Sequence, residues 1–464
     1  MSAEVEPAMT RRRTTWLLLA AAALNGLVYL ALSTPWMGED EPWQFEYVSY
    51  VADGHLPGGG TPIVPGGPGR ADPRQTTSSS QLQALHRIGG LTPEIVAARQ
   101  TEILESMRRH GYYRRVDWAG VDDLRRNFDQ VVLNSTATIY PPLYFLLAGT
   151  WMRLWGAQDV DGQMWSVRAL SWLLYVGTVA AALAFARTLF DDERVALCVA
   201  ALVAFLPMSA RQAAIVNNDV LAKFLSAVVL WLAARWLTRR GRPWELLVGL
   251  GVCALALQTK TTVTAAVAAF ALACLLRFER IGTRLGPLLV ALGLMAALGF
   301  VVLRIVFANS PSMPHSVMGF AAGLDKSLTL DNLSDFGRTL AGSFGWESRF
   351  LPGALNLLLG LTLFGALARL FAARARVGQA QVFVWLALGL AVQVGLILLR
   401  GGPSKGRYLM PTLPLLAALV VGGLVLAADD RPRAVRRFAV ALAIYAAYFL
   451  FGGLVVHEVL LLGA

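Results

Sequence analysis

The 464-residue chain is 56% hydrophobic and only 15% charged, with a mean hydropathy of +0.54. That is too apolar for a soluble globule, in which charged residues run nearer ~25%. The net charge of +11 is no nucleic-acid footprint, because most of the excess Lys and Arg sits in short loops between apolar blocks, as insertion topology requires.

Arg11-Arg12-Arg13 precedes the apolar segment Trp16–Leu32, and no small-residue cleavage site follows it. It reads as an uncleaved first span with a cytoplasmic N-terminus. Further apolar blocks are Val167–Phe185, Val195–Leu206, Val220–Leu237, Leu246–Leu257, Val263–Leu276, Leu285–Phe307, Leu351–Phe371, Val382–Leu399, Leu409–Ala428 and Phe438–Leu462. Such blocks approach the ~20 residues that cross a ~30 Å hydrocarbon core, and they lack the short alternation of a barrel. The expectation is an all-α polytopic membrane protein, a single domain over residues 1–464 with about eleven transmembrane helices. Alternation then makes Arg187–Arg194, Arg239–Pro243, Arg277–Arg284, Arg374–Gly378 and Asp429–Arg437 cytoplasmic, and every one of these loops bears Arg. Tyr140–Trp155 is apolar too, but counting it as a span inverts all later loops. Its Tyr-Pro-Pro start and its Arg153 predict a juxtamembrane or re-entrant helix that does not cross. The three cysteines, Cys198, Cys253 and Cys274, lie inside apolar blocks and read as small buried hydrophobes.

On the other side of the membrane, residues 34–139 form a long external loop and residues 308–350 a second one. The first opens with an acidic cluster and passes through a Gly/Pro-rich irregular stretch, Leu56–Pro73. Thr92 as N-cap, Pro93 in the first turn and the spaced Val96, Ile103 and Met107 then predict an amphipathic helix over Glu94–His110, lying on the membrane surface.

Ionisable groups near span ends on one side are functional candidates, because burying them at membrane depth is costly. Glu39-Asp40-Glu41-Pro42 follows the first span. Adjacent carboxylates raise one another's pKa and one can act as a base toward a hydroxyl, although a solvated turn capping the next helix explains the cluster equally well. Asn217-Asn218-Asp219 stands at the outer mouth of a span, where Asp is most often a cap. Lys260, in Gln258-Thr259-Lys260-Thr261, either snorkels to the interface or serves a site. Arg400 and Lys405-Gly406-Arg407-Tyr408 break the positive-inside trend and suit a phosphate group. In Gly345-Trp346-Glu347-Ser348-Arg349, an interfacial belt accounts for Trp346 but not for Glu347 and Arg349. There is no Walker A, GxGxxG, GxSxG, HExxH or CxxC pattern, and His55, His86, His110, His315 and His457 include no pair at ligand spacing.

Asp40-Glu41-Pro42-x-x-Phe45 after the first span, Tyr140-Pro141-Pro142-Leu143-Tyr144, Leu206-Pro207 leading to Asn217-Asn218-Asp219, and Thr259-Lys260 together resemble the GT-C glycosyltransferase superfamily. With Phe344-Gly345-Trp346 and Gly406-Arg407-Tyr408-x-x-Pro411, the set is most similar to bacterial membrane proteins of the DUF2142 type, relatives of protein O-mannosyltransferases and the lipid A aminoarabinose transferase. The resemblance runs over nearly the whole chain. It implies an inverting transfer from a polyprenyl-phosphate-linked sugar to a glycan, lipid or protein acceptor of the cell envelope, at the outer face of a bacterial plasma membrane. It also implies roles. Asp40 is the catalytic carboxylate and Asp219 the second loop carboxylate. Lys260 and Arg407 neutralise the departing phosphate, and Tyr140 opens the donor groove. Glu41, Glu347, Arg349, Arg400, Lys405 and Tyr408 complete the expected substrate contacts. Relatives carry His two residues after the Pro of the first motif, and Gln44 stands there instead. That leaves dependence on a divalent metal open, and no cofactor is otherwise indicated. Two other classes fit the same charges, a flippase for lipid-linked saccharides and a non-catalytic envelope scaffold.

Overall fold

A computed structural model describes residues 8–36, 38, 40–56, 88, 90–111, 140–238, 243–281, 380–399 and 406–451, together with positions 362, 365, 366 and 369. The expected spans Leu285–Phe307 and Leu351–Phe371 lie outside these residues or nearly so. The fold is all-α. Five described helical segments are long and apolar enough to cross a membrane, at Arg11–Leu32, Val160–Leu189, Asp219–Thr238, Gly406–Leu426 and Arg431–Phe451. Three shorter apolar ones are Trp244–Leu257, Thr261–Leu276 and Val382–Ile397.

The first long helix, α1 (Ala8–Leu32), leads to a short helix, α2 (Glu41–Ala52). After it α3 spans Pro93–Arg109, and the Thr92 hydroxyl accepts from the Ile95 amide at 3.4 Å, as the expected N-cap should. Buried Ile103 and Met107 join Trp36, Phe45 and Tyr144 in a small core distinct from that of the main bundle. Ile103 and Met107 of α3 thus have protein partners.

The ambiguous segment forms α4 (Leu143–Trp155), 13 residues long and absent from the membrane-length helices. At 1.5 Å per residue it would cover only about 20 Å of a ~30 Å core. It packs along α2, where Tyr47 stacks on Phe145 at 4.0 Å. A Cβ at Gly149 would lie 2.8 Å from Val51 Cγ1, so only glycine permits this approach. Arg153 Nε donates to the Ala52 carbonyl at 2.8 Å, which ends α2 and α4 together.

Next comes α5 (Val160–Leu189), capped by Asp159, whose carboxylate accepts from the Gly162 amide at 2.6 Å. It runs antiparallel to α1. Near its start Arg168 reaches the Ser33 carbonyl at the end of α1, and near its finish Arg187 donates to Thr15 Oγ1 at the beginning of α1. Helix α6 (Glu193–Phe205) stops one residue short of the expected block because Pro207 follows: Leu206 is extended and Pro207 starts the short α7 (Pro207–Gln212).

Helix α8 (Asp219–Thr238) is the most enclosed of the first long helices and lies against α5, where a Cβ at Gly177 would meet Phe224 at 2.9 Å. Such small-residue contacts allow close packing where lipid supplies no hydrophobic drive between helices. Then come α9 (Pro243–Leu257), a 3₁₀ turn Thr261–Val263, α10 (Thr264–Ile281) and α11 (Ala380–Leu399). A 3₁₀ helix, Gly406–Thr412, opens α12 (Leu413–Val421), which ends in a π turn at Gly422–Leu426. The last described helix, α13 (Arg431–Tyr448), departs from expectation. Residues 431–437 are its first two turns and not a loop, because Asp430 caps the Arg433 amide at 3.0 Å and Pro432 suits the opening turn. Trp16, Leu17 and Leu24 on α1 and Val440 and Ile444 on α13 are exposed, as lipid-facing side chains are.

The bundle has two chemically different ends. One gathers Arg11, Arg187 and Glu193, with Arg11 Nε 3.0 Å from the Glu193 carboxylate. The other gathers the first residues of α2, α5 and α8, the turn before α10 and the turn before α12.

Candidate functional site

Asp40 stands just before α2 with φ +61°, a left-handed backbone that a non-glycine residue adopts only under constraint. The constraint is Glu41, whose side chain is completely buried. Its Oε1 accepts from Arg168 Nε at 2.8 Å and from the Val216 amide at 2.9 Å, and its Oε2 accepts from Arg168 Nη2 at 2.8 Å and the Gly38 amide at 3.1 Å. Arg168, also fully buried, donates further to the Ser33 and Thr34 carbonyls. Four bonds saturate the carboxylate. Glu41, expected among the substrate contacts, here ties α1, α2, α5 and the loop before α8 into one joint.

Gln44, one turn into α2, is buried and makes a second tie. It accepts from the Asn218 amide at 3.1 Å and donates to Asn218 Oδ1 at 3.3 Å, while Asn218 Nδ2 donates to the Thr259 carbonyl at 3.4 Å. The residue standing in place of the relatives' His thus joins the first-loop and second-loop motifs directly. The cap of α8 is Asn217, whose Oδ1 accepts from the Asp219 amide at 2.8 Å. Asp219 is therefore released from the capping role that its position favours.

Its carboxylate instead meets Lys260: Nζ lies 2.6 Å from Oδ1, and both side chains are about 95% buried. Lys260 also sits 5.2 Å from the centre of the Tyr140 ring. Burial pulls its ammonium down, but Asp219 and Tyr140 more than offset this and hold it above its ordinary value. The neighbouring Lys260 draws the Tyr140 hydroxyl down, while burial and the charges of Asp40 and Asp219 push it up and prevail. Across the site, Arg407 Nη2 stands 3.2 Å from Asp40 Oδ2, and its guanidinium lies 5.5 Å from the Tyr408 ring centre. Asp40, Tyr140, Asp219, Lys260, Arg407 and Tyr408 thus converge at one end of the bundle. Arg400, Lys405, Glu347 and Arg349 lie outside the described residues.

A cleft of about 260 Å³, counting its open mouth, lies between α7 and the turn before α12, lined by Met208, Arg211, Gln212, Ile215, Asn217, Asp219 and Arg407. Sequence reasoning passed over Arg211, Gln212 and Arg168. Arg168 is an arginine inside an apolar block, which was itself a usable signal. Among the described residues, no three His, Cys, Asp or Glu side chains come together as a metal site requires. The arrangement pairs each of two carboxylates with one cation beside a small cleft. Such a site can hold an anion and accept a proton from a hydroxyl.

No curated protein matches the sequence. Two solved structures similar in shape are those of an Archaeoglobus fulgidus oligosaccharyltransferase, in the apo form and tethered by a disulfide bond to an acceptor peptide containing the NVT sequon. They share 13% and 12% identity with this chain, at TM-scores of 0.47 and 0.46. Each covers 96% of this chain, which spans only 56% and 55% of theirs. The model of the DUF2142 family, described as predicted membrane proteins, matches residues 23–416, well over half of the sequence, and the chain belongs to that family.

Proposed function

We propose that this protein is a membrane glycosyltransferase that moves a sugar from a polyprenyl-phosphate-linked donor to a hydroxyl-bearing acceptor of the cell envelope, at the outer face of the membrane and with inversion. The observation that carries this reading is the part-buried meeting of Asp40 with Arg407 and the buried meeting of Asp219 with Lys260, from four distant parts of the chain. Two pairs of opposite charge, held largely out of water beside a cleft that Arg211 also lines, are costly unless a ligand uses them.

In this mechanism the acceptor hydroxyl gives its proton to the Asp40 carboxylate as its oxygen attacks the anomeric carbon. The bond from that carbon to the phosphate oxygen breaks on the opposite face, and its electron pair leaves with the lipid phosphate. Arg407, Lys260 and Arg211 stabilise the charge that develops there, an electrostatic contribution that grows where water is scarce. Asp219 keeps Lys260 in place and turns its second oxygen toward the cleft. Tyr140 and Tyr408 flank the two cations. Arg400, Lys405, Glu347 and Arg349 extend the contacts to donor and acceptor from the outer loops.

The test is Asp40→Asn in the purified full chain. Binding of undecaprenyl phosphate should stay within about twofold, while consumption of sugar-bearing lipid phosphate in a cell-envelope extract falls about 10²- to 10⁴-fold, the usual worth of a general base. Transfer that survives in Asp40→Asn would remove Asp40 from the base role. Arg407→Ala should weaken undecaprenyl phosphate binding about 10- to 100-fold. Arg153→Ala, which only loosens the ends of α2 and α4, should leave that binding unchanged, and equal losses in the two variants would defeat the phosphate assignment.

A further inference from the structure

Buried polar atoms in folded proteins are nearly always hydrogen-bonded, because leaving one unpaired costs the whole of its desolvation. Two acceptor oxygens of the cleft break this rule. Gln212 is 2% exposed and Asp219 4%, yet among the described residues neither Gln212 Oε1 nor Asp219 Oδ2 has a hydrogen-bond partner. They line the same cleft as Arg211 and Arg407. Asp219 has only half an explanation, since its Oδ1 serves Lys260. Gln212 has none: it ends the six-residue α7, does not cap α8, and takes no part in the Gln44–Asn218 tie.

An anion would not satisfy these two oxygens, because both are acceptors. They can accept from hydroxyls, while the guanidiniums of Arg211 and Arg407, which have protein partners of their own, make the same cleft favourable to negative charge. A ligand with both characters is a hydroxylated ring next to a phosphate.

We infer that Gln212 and Asp219 Oδ2 form a saccharide-hydroxyl subsite beside the phosphate-binding cations, in which Gln212 is a binding residue with no structural duty. The inference rests on the glycosyl-transfer reading. The hydroxyl belongs either to the sugar on the lipid-phosphate donor or to the acceptor, and the chemistry of recognition is the same for both.

Gln212→Met tests it, because methionine keeps the side-chain volume and removes the amide. The full chain, in detergent, is loaded with lipid extract of the expressing cells, with undecaprenyl phosphate added as the sugar-free reference. Three quantities are read: the thermal midpoint, the sugar-bearing lipid phosphate retained, and its conversion to bare lipid phosphate when cell-envelope extract is added. The midpoint should hold or rise, since an orphaned buried oxygen has gone. Retention should fall about tenfold if the hydroxyl is the donor's, or retention should hold and conversion fall about tenfold if it is the acceptor's. Retention of undecaprenyl phosphate itself should stay within about twofold in either case. Gln212→Glu, which keeps an acceptor oxygen, should recover part of whichever quantity is lost.

Unchanged retention and conversion would mean that the oxygens face only water, and the subsite would be wrong. A lowered midpoint in Gln212→Met would make Gln212 a structural residue and overturn the inference equally. Wild-type protein that takes up no lipid phosphate at all would sink the glycosyl-transfer reading itself, and the subsite with it.

Discussion

Arg168 and Glu41 hold each other within a joint of six hydrogen bonds, none of which reaches the cleft. Removing one charge from such a pair strands the other, at a cost of roughly 3–5 kcal/mol. Glu41→Gln should therefore lower the thermal midpoint markedly in the absence of any lipid ligand. A midpoint equal to wild type would show that the pair contributes nothing to the fold. Glu46, deeper in α2, behaves differently. Burial pushes its carboxyl from 4.5 up to about 7, against the opposing bonds from Gln100 and Tyr50. The folded state then keeps a proton that the unfolded chain has released. Stability should fall as pH rises from about 4.5 to about 7 and level off above that, by something on the order of 3 kcal/mol. Thermal midpoints of Glu46→Gln across this range should lack that slope. Superimposable wild-type and variant curves would mean that Glu46 ionises in the folded protein as it does in water.

At the scale of elements, α4 shows how a short helix that carries no site residue can still support the site. Its contacts are with α2, through Tyr47, Val51 and Ala52, and through α2 it supports the turn that carries Asp40. The apolar composition of Tyr140–Trp155 alone was compatible with a crossing helix. What argued against crossing was the placement of arginines elsewhere in the chain, an indirect signal; the helix itself is short and packed on α2. The start of α13 went the other way. Positive charge marked residues 429–437 as a loop, yet the Asp430 cap and Pro432 extend a helix through them. Charge reports which side of a membrane a segment faces, while capping chemistry decides where the helix begins.

For the whole molecule, the two ends of the bundle separate cleanly, with Arg11, Arg187 and Glu193 at one and the candidate site at the other. The proposed orientation puts the first of these in the cytoplasm. Exposed Glu94 on α3 and exposed Asp191 between α5 and α6 lie in segments assigned to opposite sides. A cysteine at Glu94 should react with a membrane-impermeant maleimide in intact cells, and one at Asp191 should not. Native Cys198, Cys253 and Cys274 are all buried and should add little background. The reverse labelling pattern would turn the protein over in the membrane and place the site inside.

The sequence by itself determined that this chain is an α-helical membrane protein, where most of its described helices lie, and which side chains were worth suspecting. These properties are local. An apolar run must satisfy its own backbone in lipid, and a helix does so within one segment. Only the tertiary structure decided the partners. Asp40 and Arg407 stand 367 positions apart, and nothing local says that they touch. Three neighbours in Asp40-Glu41-Pro42-Trp43-Gln44 look alike as polar residues after a span, yet packing turned Asp40 toward the cleft, locked Glu41 onto Arg168 and spent Gln44 on Asn218. Gln212 carried no sequence signal at all, because an unpaired oxygen is defined by what surrounds it, and that exists only once the helices have packed.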